Sequence, residues 1–177
     1  EVGTVDEALQ GARDIIAEQI SEDEHSRQTL RRIYSREAVI TSKAVKGKSE
    51  TPEAAKYRDY FEWSEPLKRC TSHRLLAMRG ESEGVLRVTI TPADDERATE
   101  QVARRYVKSG TRAAEQVEMA AGDAYKRLLR PSIETEFAAS SKEQADEEAI
   151  RVFATNLKQL LLAAPLGQRR IMGIDPG

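Results

Sequence analysis

The chain has 177 residues, a length that suits one domain or two small ones and that allows a real core to be buried. Charged residues make up 33% and hydrophobic residues 39%, which favours solvated helices over sheet, and the formal charge of −2 excludes an overall basic field that would attract nucleic acid. The single cysteine excludes an internal disulfide, and no apolar run approaches the roughly 18–20 residues that a membrane span needs.

Two capping patterns open the chain. In Thr4-Val-Asp-Glu7 the Thr hydroxyl can accept from a first-turn N–H while Glu7 reaches back, which predicts a helix start. Apolar residues then recur at helical spacing as far as Ile20, and Ser21-Glu-Asp-Glu24 predicts the start of a second helix. A helical hairpin and a helix–turn–helix DNA reader both fit. Five basic against nine acidic residues in positions 1–42 favour the hairpin.

Two segments have β character. Residues 38–45 (AVITSKAV) are β-branched, and residues 84–90 (GVLRVTI) form the most distinct β-run of the chain. We expect them to pair as a small two-stranded antiparallel element, near residues 38–46 and 84–91. The loop between them begins with KGKS, but the phosphate-binding pattern GxxxxGK[ST] is broken because position 42 is Ser.

An aromatic joint, residues 57–91, separates the helical patterns. Tyr57, Tyr60, Phe61 and Trp63 fall within seven positions, before Pro66. Thr51 and Pro52 predict a helix that runs to about residue 61, and residues 64–66 predict a short helical turn.

The next segment, residues 72–80, is rich in Leu, Ala and Met. These residues predict a helix with Ser72 as its cap and Gly80 as its left-handed end. A strand over residues 73–79 that forms a hairpin with residues 84–90 is the alternative.

After Pro92 the pattern is helical. It predicts helices over residues 95–109 and from Thr111, an interruption at Pro131, and a third capping box at Ser141-Lys-Glu-Gln144. The last helix should bury an apolar stripe, so that Leu157→Asp would bury an unpaired charge and cost several kcal/mol. The stripe consists of Ala149, Ile150, Phe153, Leu157, Leu160, Leu161 and Ala164. Residues 168–177 (QRRIMGIDPG) predict an apolar strand.

These elements predict a mainly α, multihelical bundle with one small two-stranded β element. We divide it into a helical hairpin and basic loop (1–50), the joint with short helices and a strand (51–92), a helical bundle with a long final helix (93–164), and a linker with a strand (165–177).

Residues 43–74 form the one basic segment, with eight basic against five acidic residues. These side chains could follow a phosphate backbone, with Tyr57 or Trp63 as a stacking face. The alternative is that the aromatic rings are core and the basic side chains solvate a surface. The candidate residues are Lys43, Lys46, Lys48, Lys56, Arg58, Lys68, Arg69 and Arg74. His25, His73 and Cys70 lack the spacing of metal ligands, and we expect no metal site or cofactor.

Several segments in order resemble the Tex family of bacterial transcription accessory proteins. They are EALQGARDIIAEQI, ITSKAVKGKSE, KYRDYFEWSEPLKRCTSHRLLAMRGESEGVLRV, YKRLLRPSIETE, EEAIRVFATNLKQLLLAAPLG and IMGIDPG. The resemblance implies a cytoplasmic, multidomain protein with a helical scaffold, an RNase H-like domain, helix–hairpin–helix elements and a C-terminal OB-fold that binds RNA. It also implies that this chain is the helical central region, with residues 165–177 a linker and the truncated first strand of the RNase H-like domain.

On this resemblance we expect a non-enzymatic scaffold that positions downstream RNA- or DNA-binding domains. Its partners would be nucleic acid, bound through the intact protein, and the transcription machinery, with no membrane. Asp175 resembles the carboxylate that the first strand of RNase H-like nucleases supplies to a metal pair, and it would be a ligand only if downstream residues completed the site. The alternatives are therefore part of a metal-dependent RNase H-like nuclease and a protein-interaction module of the transcription machinery.

Overall fold

The computed structural model describes residues 3–79, 84–165 and 167–175. In this part of the chain the fold is mainly helical with one small antiparallel sheet. Helices α1 to α6 span Val5–Glu22, Glu24–Glu37, Ser72–Arg79, Asp95–Ala103, Ala114–Asp123 and Arg130–Leu161. Strands β1 to β3 span Ala38–Ala44, Glu62–Pro66 and Leu86–Pro92. Two 3₁₀ segments span Pro52–Tyr60 and Leu67–Arg69, and a π-helix spans Ala124–Leu129.

Helix α1 begins at the predicted capping box. The Thr4 hydroxyl accepts a hydrogen bond from the Glu7 N–H at 3.2 Å, and the Glu7 carboxylate accepts one from the Thr4 N–H at 3.2 Å. The capping box predicted at Ser21 is wrong, because Ser21 lies in the last turn of α1 and donates to the Glu18 carbonyl. Asp23 caps α2 instead, accepting from the His25 N–H at 2.9 Å.

The sheet has three strands, in the order β2-β1-β3. The predicted antiparallel pairing of β1 with β3 is confirmed, with Ile40 opposite Ile90. The two-stranded prediction missed β2, whose Trp63 lies opposite Ser42. Its exposure alternates with period two, but Glu62 and Glu65 lie on opposite faces of the strand, so the sequence shows no alternation of apolar and polar residues. Pro66 ends this edge strand, where its missing N–H is tolerated.

The segments around β2 follow the predictions in part. Residues 52–60 form a 3₁₀ helix rather than an α-helix, and the Thr51 hydroxyl donates to the Lys48 carbonyl instead of capping it. Helix α3 is confirmed over the alternative strand. The predicted cap at Gly80 lies outside the described residues. Helix α4 ends at Ala103, earlier than predicted.

The predicted cap at Thr111 is also wrong. Its hydroxyl donates to the Lys108 carbonyl at 2.9 Å, and α5 begins only at Ala114.

The predicted interruption at Pro131 is wrong, because helical structure continues from α5 through the π-helix into α6. The Arg130 N–H donates to the Tyr125 carbonyl, five residues back. A π turn is wider than an α turn, so it accommodates a residue that has no N–H and whose ring would meet the carbonyl four residues back. Ser141 likewise lies inside α6, where its hydroxyl donates to the Ala138 carbonyl.

One hydrophobic core joins the sheet to the helices and reaches along α6 only as far as Ala145. Its largest fully buried apolar side chains are Tyr34, Tyr125, Ile20, Leu30, Ile40, Met78, Leu129, Ile133 and Val102. We call this part of the molecule the packed body.

Beyond Ala145 no side chain of α6 is buried, and the Ser72 hydroxyl of α3 donates to the Glu148 carboxylate in the first turn after it. The prediction that the apolar stripe of α6 is buried is wrong: Phe153 is 66% exposed, Leu157 42% and Leu160 74%. We call residues 146–161 the arm.

The strand predicted over residues 168–177 is also absent from the described residues 167–175, which are exposed and irregular. No described helix is both long and apolar enough to cross a membrane.

Candidate nucleic-acid interface

The structure distributes the predicted basic residues over several elements. Seven of the eight are exposed, and Arg74 is half-buried; the exposed ones are Lys43, Lys46, Lys48, Lys56, Arg58, Lys68 and Arg69. Lys43 lies on the face of β1 that points away from the core, opposite Glu62 on one side and Arg87 on the other. The other exposed ones follow in the loop after β1 and in the two 3₁₀ segments.

The two predicted stacking rings are not open platforms. Tyr57 is only 3% exposed and belongs to the core. The half-buried indole of Trp63 has the Arg74 guanidinium carbon 4.9 Å from its centroid, and the Tyr60 ring meets it edge-on at 6.0 Å. These rings therefore hold the joint together, which supports the alternative that they are packing residues.

Arg74 is part of the same internal cluster. Its Nη1 donates to both carboxylate oxygens of Glu65, at 2.9 and 2.8 Å, and the Trp63 Nε1 donates to Glu65 at 3.1 Å. Burial opposes the charge of Glu65, but these hydrogen bonds outweigh it and lower the pKa of its carboxyl. Burial, with Glu65 nearby, raises the pKa of Cys70 to about 12, so its thiol is a packing group rather than a nucleophile.

A second basic surface, which the sequence analysis missed, lies between α2 and α4. It is a groove of about 490 Å³, and we call it the arginine groove. Among the described residues four arginines line it: Arg32 and Arg36 from α2, Arg97 from α4, and Arg104, the residue that caps the end of α4. Positions four and seven residues apart share one face of a helix, so each helix presents its pair on the groove side.

The arginines of α2 are divided between two faces. Arg27 donates to the Ser132 hydroxyl at 2.8 Å, and Arg31 forms an ion pair with Glu136 at 2.7 Å, so both are held against α6. Arg32 and Arg36 line the groove on the side of α4. In the sequence, the four-residue spacing of Arg32 and Arg36 is the signal for this surface. The count of charges over residues 1–42 hides it, because that count also includes acidic residues that lie on other surfaces.

The groove is positively charged because, among the residues that the structure describes, its four arginines face one carboxylate, that of Glu37. Glu37 pairs with Arg97 at 3.2 Å. Within the described residues, neither Arg36 nor Arg104 has a side-chain hydrogen bond or an ion pair. These two guanidinium groups can therefore accept an anion without breaking an internal contact.

Asp175 lies in the exposed segment after α6. Across residues 3–79, 84–165 and 167–175, no group of three or more His, Cys, Asp or Glu side chains is arranged to hold a metal ion.

Comparison with known proteins gives a consistent family. Residues 1–153 match the family described as Tex central region-like. The chain is 42% identical over 180 residues to the protein named transcriptional accessory protein Tex of Neisseria gonorrhoeae, covering 96% of this chain and 23% of that protein. It is 39% identical over 184 residues to protein YhgF of Escherichia coli, with 96% and 23% covered.

A human relative is more distant. S1 RNA-binding domain-containing protein 1 of Homo sapiens is 30% identical over 182 residues, covering 94% of this chain and 18% of that protein. The chain thus spans less than a quarter of the length of each of these three relatives. The match over residues 1–153 and the identity to bacterial relatives along nearly the whole chain confirm the resemblance: this chain belongs to the Tex family.

Proposed function

We propose that this chain is the helical scaffold of a nucleic-acid-binding transcription accessory protein. Its role would be mechanical and non-enzymatic, in the cytoplasm: it would hold RNA- or DNA-binding domains of the same protein in a fixed arrangement. The names of two relatives support the setting, since one is a transcriptional accessory protein and another contains an S1 RNA-binding domain.

The observation that carries the proposal is the contrast between the arm and the packed body. From residue 146 to residue 161 the helix projects by about 24 Å, at about 1.5 Å per residue. Ile150, Phe153, Leu160 and Leu161 are between 66% and 75% exposed along it. A contiguous apolar surface of this kind marks an interaction site.

The relatives suggest what covers the arm. More than three quarters of the length of each lies outside the part that this chain matches. We infer that domains of the same polypeptide pack on the arm, so that a helix anchored in the packed body fixes their orientation. The packing of side chains at that contact would make the connection rigid.

Hydrogen exchange tests this proposal. Backbone amides of residues 150–161 should exchange rapidly in the 177-residue chain, where few tertiary contacts protect them, and slowly in a polypeptide of the relatives' full length. Amides of residues 133–140, inside the packed body, serve as the internal control and should be slow in both. Equally rapid exchange of the arm in the longer polypeptide would show that nothing packs on it, and the scaffold proposal would fail.

A matched pair of substitutions separates the scaffold from the alternative of a protein-interaction module. In the longer polypeptide, Phe153→Asp should weaken nucleic-acid binding by disturbing the arrangement of domains, whereas Asn156→Asp, on the exposed arm as well, should not. If Phe153→Asp leaves nucleic-acid binding unchanged but abolishes binding to a transcription protein, the interaction module is the better description.

A further inference from the structure

We propose that the arginine groove between α2 and α4 binds backbone phosphates of a nucleic-acid strand, with Arg36 and Arg104 as the principal contacts. The site differs from the basic segment, residues 43–74, in which the sequence predicted contacts to nucleic acid. It also does not depend on the proposed packing of domains on the arm, because it lies on different helices.

The arginine groove carries a net positive charge within the described part of the chain. Four guanidinium groups face one carboxylate, and that carboxylate already pairs with Arg97. Guanidinium groups present planar forks that match phosphate oxygens, so arginine is the residue that most often makes such bidentate contacts. Arg36 and Arg104, which have no ion pair among the described residues, are the two whose full hydrogen-bonding capacity is available to a ligand.

The arginine groove is also large enough to hold part of a nucleic-acid backbone. The groove, about 490 Å³, falls within the range of about 300–1,000 Å³ that is typical of sites for ligands larger than a single ion. Its lining adds polar side chains, among them His25, Thr29 and Gln101, which can donate hydrogen bonds to phosphate or sugar oxygens. The groove can therefore take a phosphate together with its sugar.

The composition of the lining favours nucleic acid over an acidic protein partner. In the described part of the chain, Ile33 is the one apolar side chain that lines the groove, and it is only 9% exposed. Protein interfaces usually depend on buried aromatic or large apolar anchors, which need apolar pockets. A surface of arginines and small polar groups is instead typical of contacts to a phosphate backbone.

The experiment measures binding of a fluorescein-labelled 12-nucleotide single-stranded RNA to the 177-residue chain by fluorescence anisotropy across a range of salt concentrations. The test variant is Arg36→Gln/Arg104→Gln, which removes two positive charges from the groove. The matched control is Lys68→Gln/Arg69→Gln, which removes two exposed positive charges from the joint. Thermal melts by circular dichroism check that both variants fold like the parent.

For single strands, each neutralised phosphate contributes about 0.7 to the slope of log affinity against log salt. The groove variant should therefore bind several-fold more weakly, with a slope shallower by about 1.4, while the joint variant keeps the parental slope. The proposal is overturned if the parent does not bind the RNA, if the groove variant keeps the parental slope, or if both variants lose affinity equally. Displacement of the RNA by an equally short DNA strand supports it, because the shared ligand is the phosphate backbone. Selective binding of a labelled poly-glutamate peptide in place of RNA overturns it.

Discussion

The two halves of helix α6 carry the same kind of pattern and have opposite surroundings. Residues 130–145 place Ile133 and Ala145 in the core, and the Phe137 ring packs 5.2 Å from the ring of Tyr34. Residues 146–161 repeat apolar side chains at helical spacing, yet Phe153 and Leu160 face solvent. Helical periodicity of apolar residues therefore indicates that a helix face packs against another surface. It does not indicate which part of the polypeptide supplies that surface.

The largest expected effect tests the packed half of this comparison. Leu129 is fully buried where the π-helix meets α6. Leu129→Ala should lower the free energy of unfolding by about 2–5 kcal/mol, because the removed atoms leave a cavity. Urea denaturation followed by circular dichroism measures it. Leu160→Ala makes the same chemical change on the arm, at a residue 74% exposed, and should change the unfolding free energy by less than about 0.5 kcal/mol. Similar losses for both variants would mean that the arm is packed in this chain.

The next effect compares two buried tyrosines of the packed body. The Tyr125 hydroxyl donates to Asp95 at 2.5 Å, and Asp95 also accepts from Arg130 at 2.6 Å, so this cluster ties α4 to the π-helix and to α6. Tyr125→Phe should cost about 1–2 kcal/mol, since it removes a hydrogen bond to a charged group.

The control is Tyr34→Phe. The Tyr34 hydroxyl is buried and has no hydrogen-bond partner among the described residues, so its removal should leave stability unchanged or raise it slightly. Thermal denaturation of both variants measures the difference, and a larger loss for Tyr34→Phe than for Tyr125→Phe would contradict the hydrogen-bond assignment.

A smaller effect depends on pH and concerns the joint. The hydrogen bonds from Arg74 and Trp63 lower the pKa of Glu65 despite its burial, so the folded state binds this proton less readily than the unfolded state. The resulting stability is fully present above the ordinary carboxyl pKa of 4.5 and is lost as the pH falls below it, through the folded pKa.

Glu65→Gln should therefore flatten the dependence of unfolding free energy on pH in that acidic range. Urea denaturation at several pH values measures this slope. Glu62→Gln, on the same strand but exposed, is the control and should keep the parental slope. An unchanged slope in Glu65→Gln would mean that its ion pair does not form in solution.

The sequence predicted the fold best at elements whose formation depends on residues close together in the chain. The capping box at Thr4, the β-branched run that became β1 and the helix-forming residues of α3 each depend on neighbours a few positions away. The errors arose where the decisive partner is distant in sequence. Proline normally ends a helix, but at Pro131 the preceding π turns accommodate it while the flanking turns pack against other helices.

The candidate site could be predicted less well, for the same physical reason. Eight basic residues in positions 43–74 looked like one surface, but Arg74 is held by Glu65, and β1 and two 3₁₀ segments separate most of the others. The arginine groove joins α2 to α4, helices that lie some sixty positions apart along the chain. A charge count along the sequence cannot detect the groove, because it does not tell which arginines of α2 are already paired. Only the fold shows that Arg27 and Arg31 contact α6, so that Arg32 and Arg36 remain on the groove side.

The smallest expected effect decides between the sequence prediction and the structure. A buried Leu157 would make Leu157→Asp cost several kcal/mol, because the carboxylate would lose its hydration without a partner. The structure leaves Leu157 42% exposed on the arm, so the new carboxylate stays in water, and the expected change in unfolding free energy is within about 0.5 kcal/mol. Urea denaturation of the 177-residue chain measures it. In a polypeptide of the relatives' length the same substitution should again be costly, since the proposed packing of domains on the arm would bury the charge. A large loss already in the 177-residue chain would mean that the arm folds back on the packed body, where its apolar face could not receive another domain.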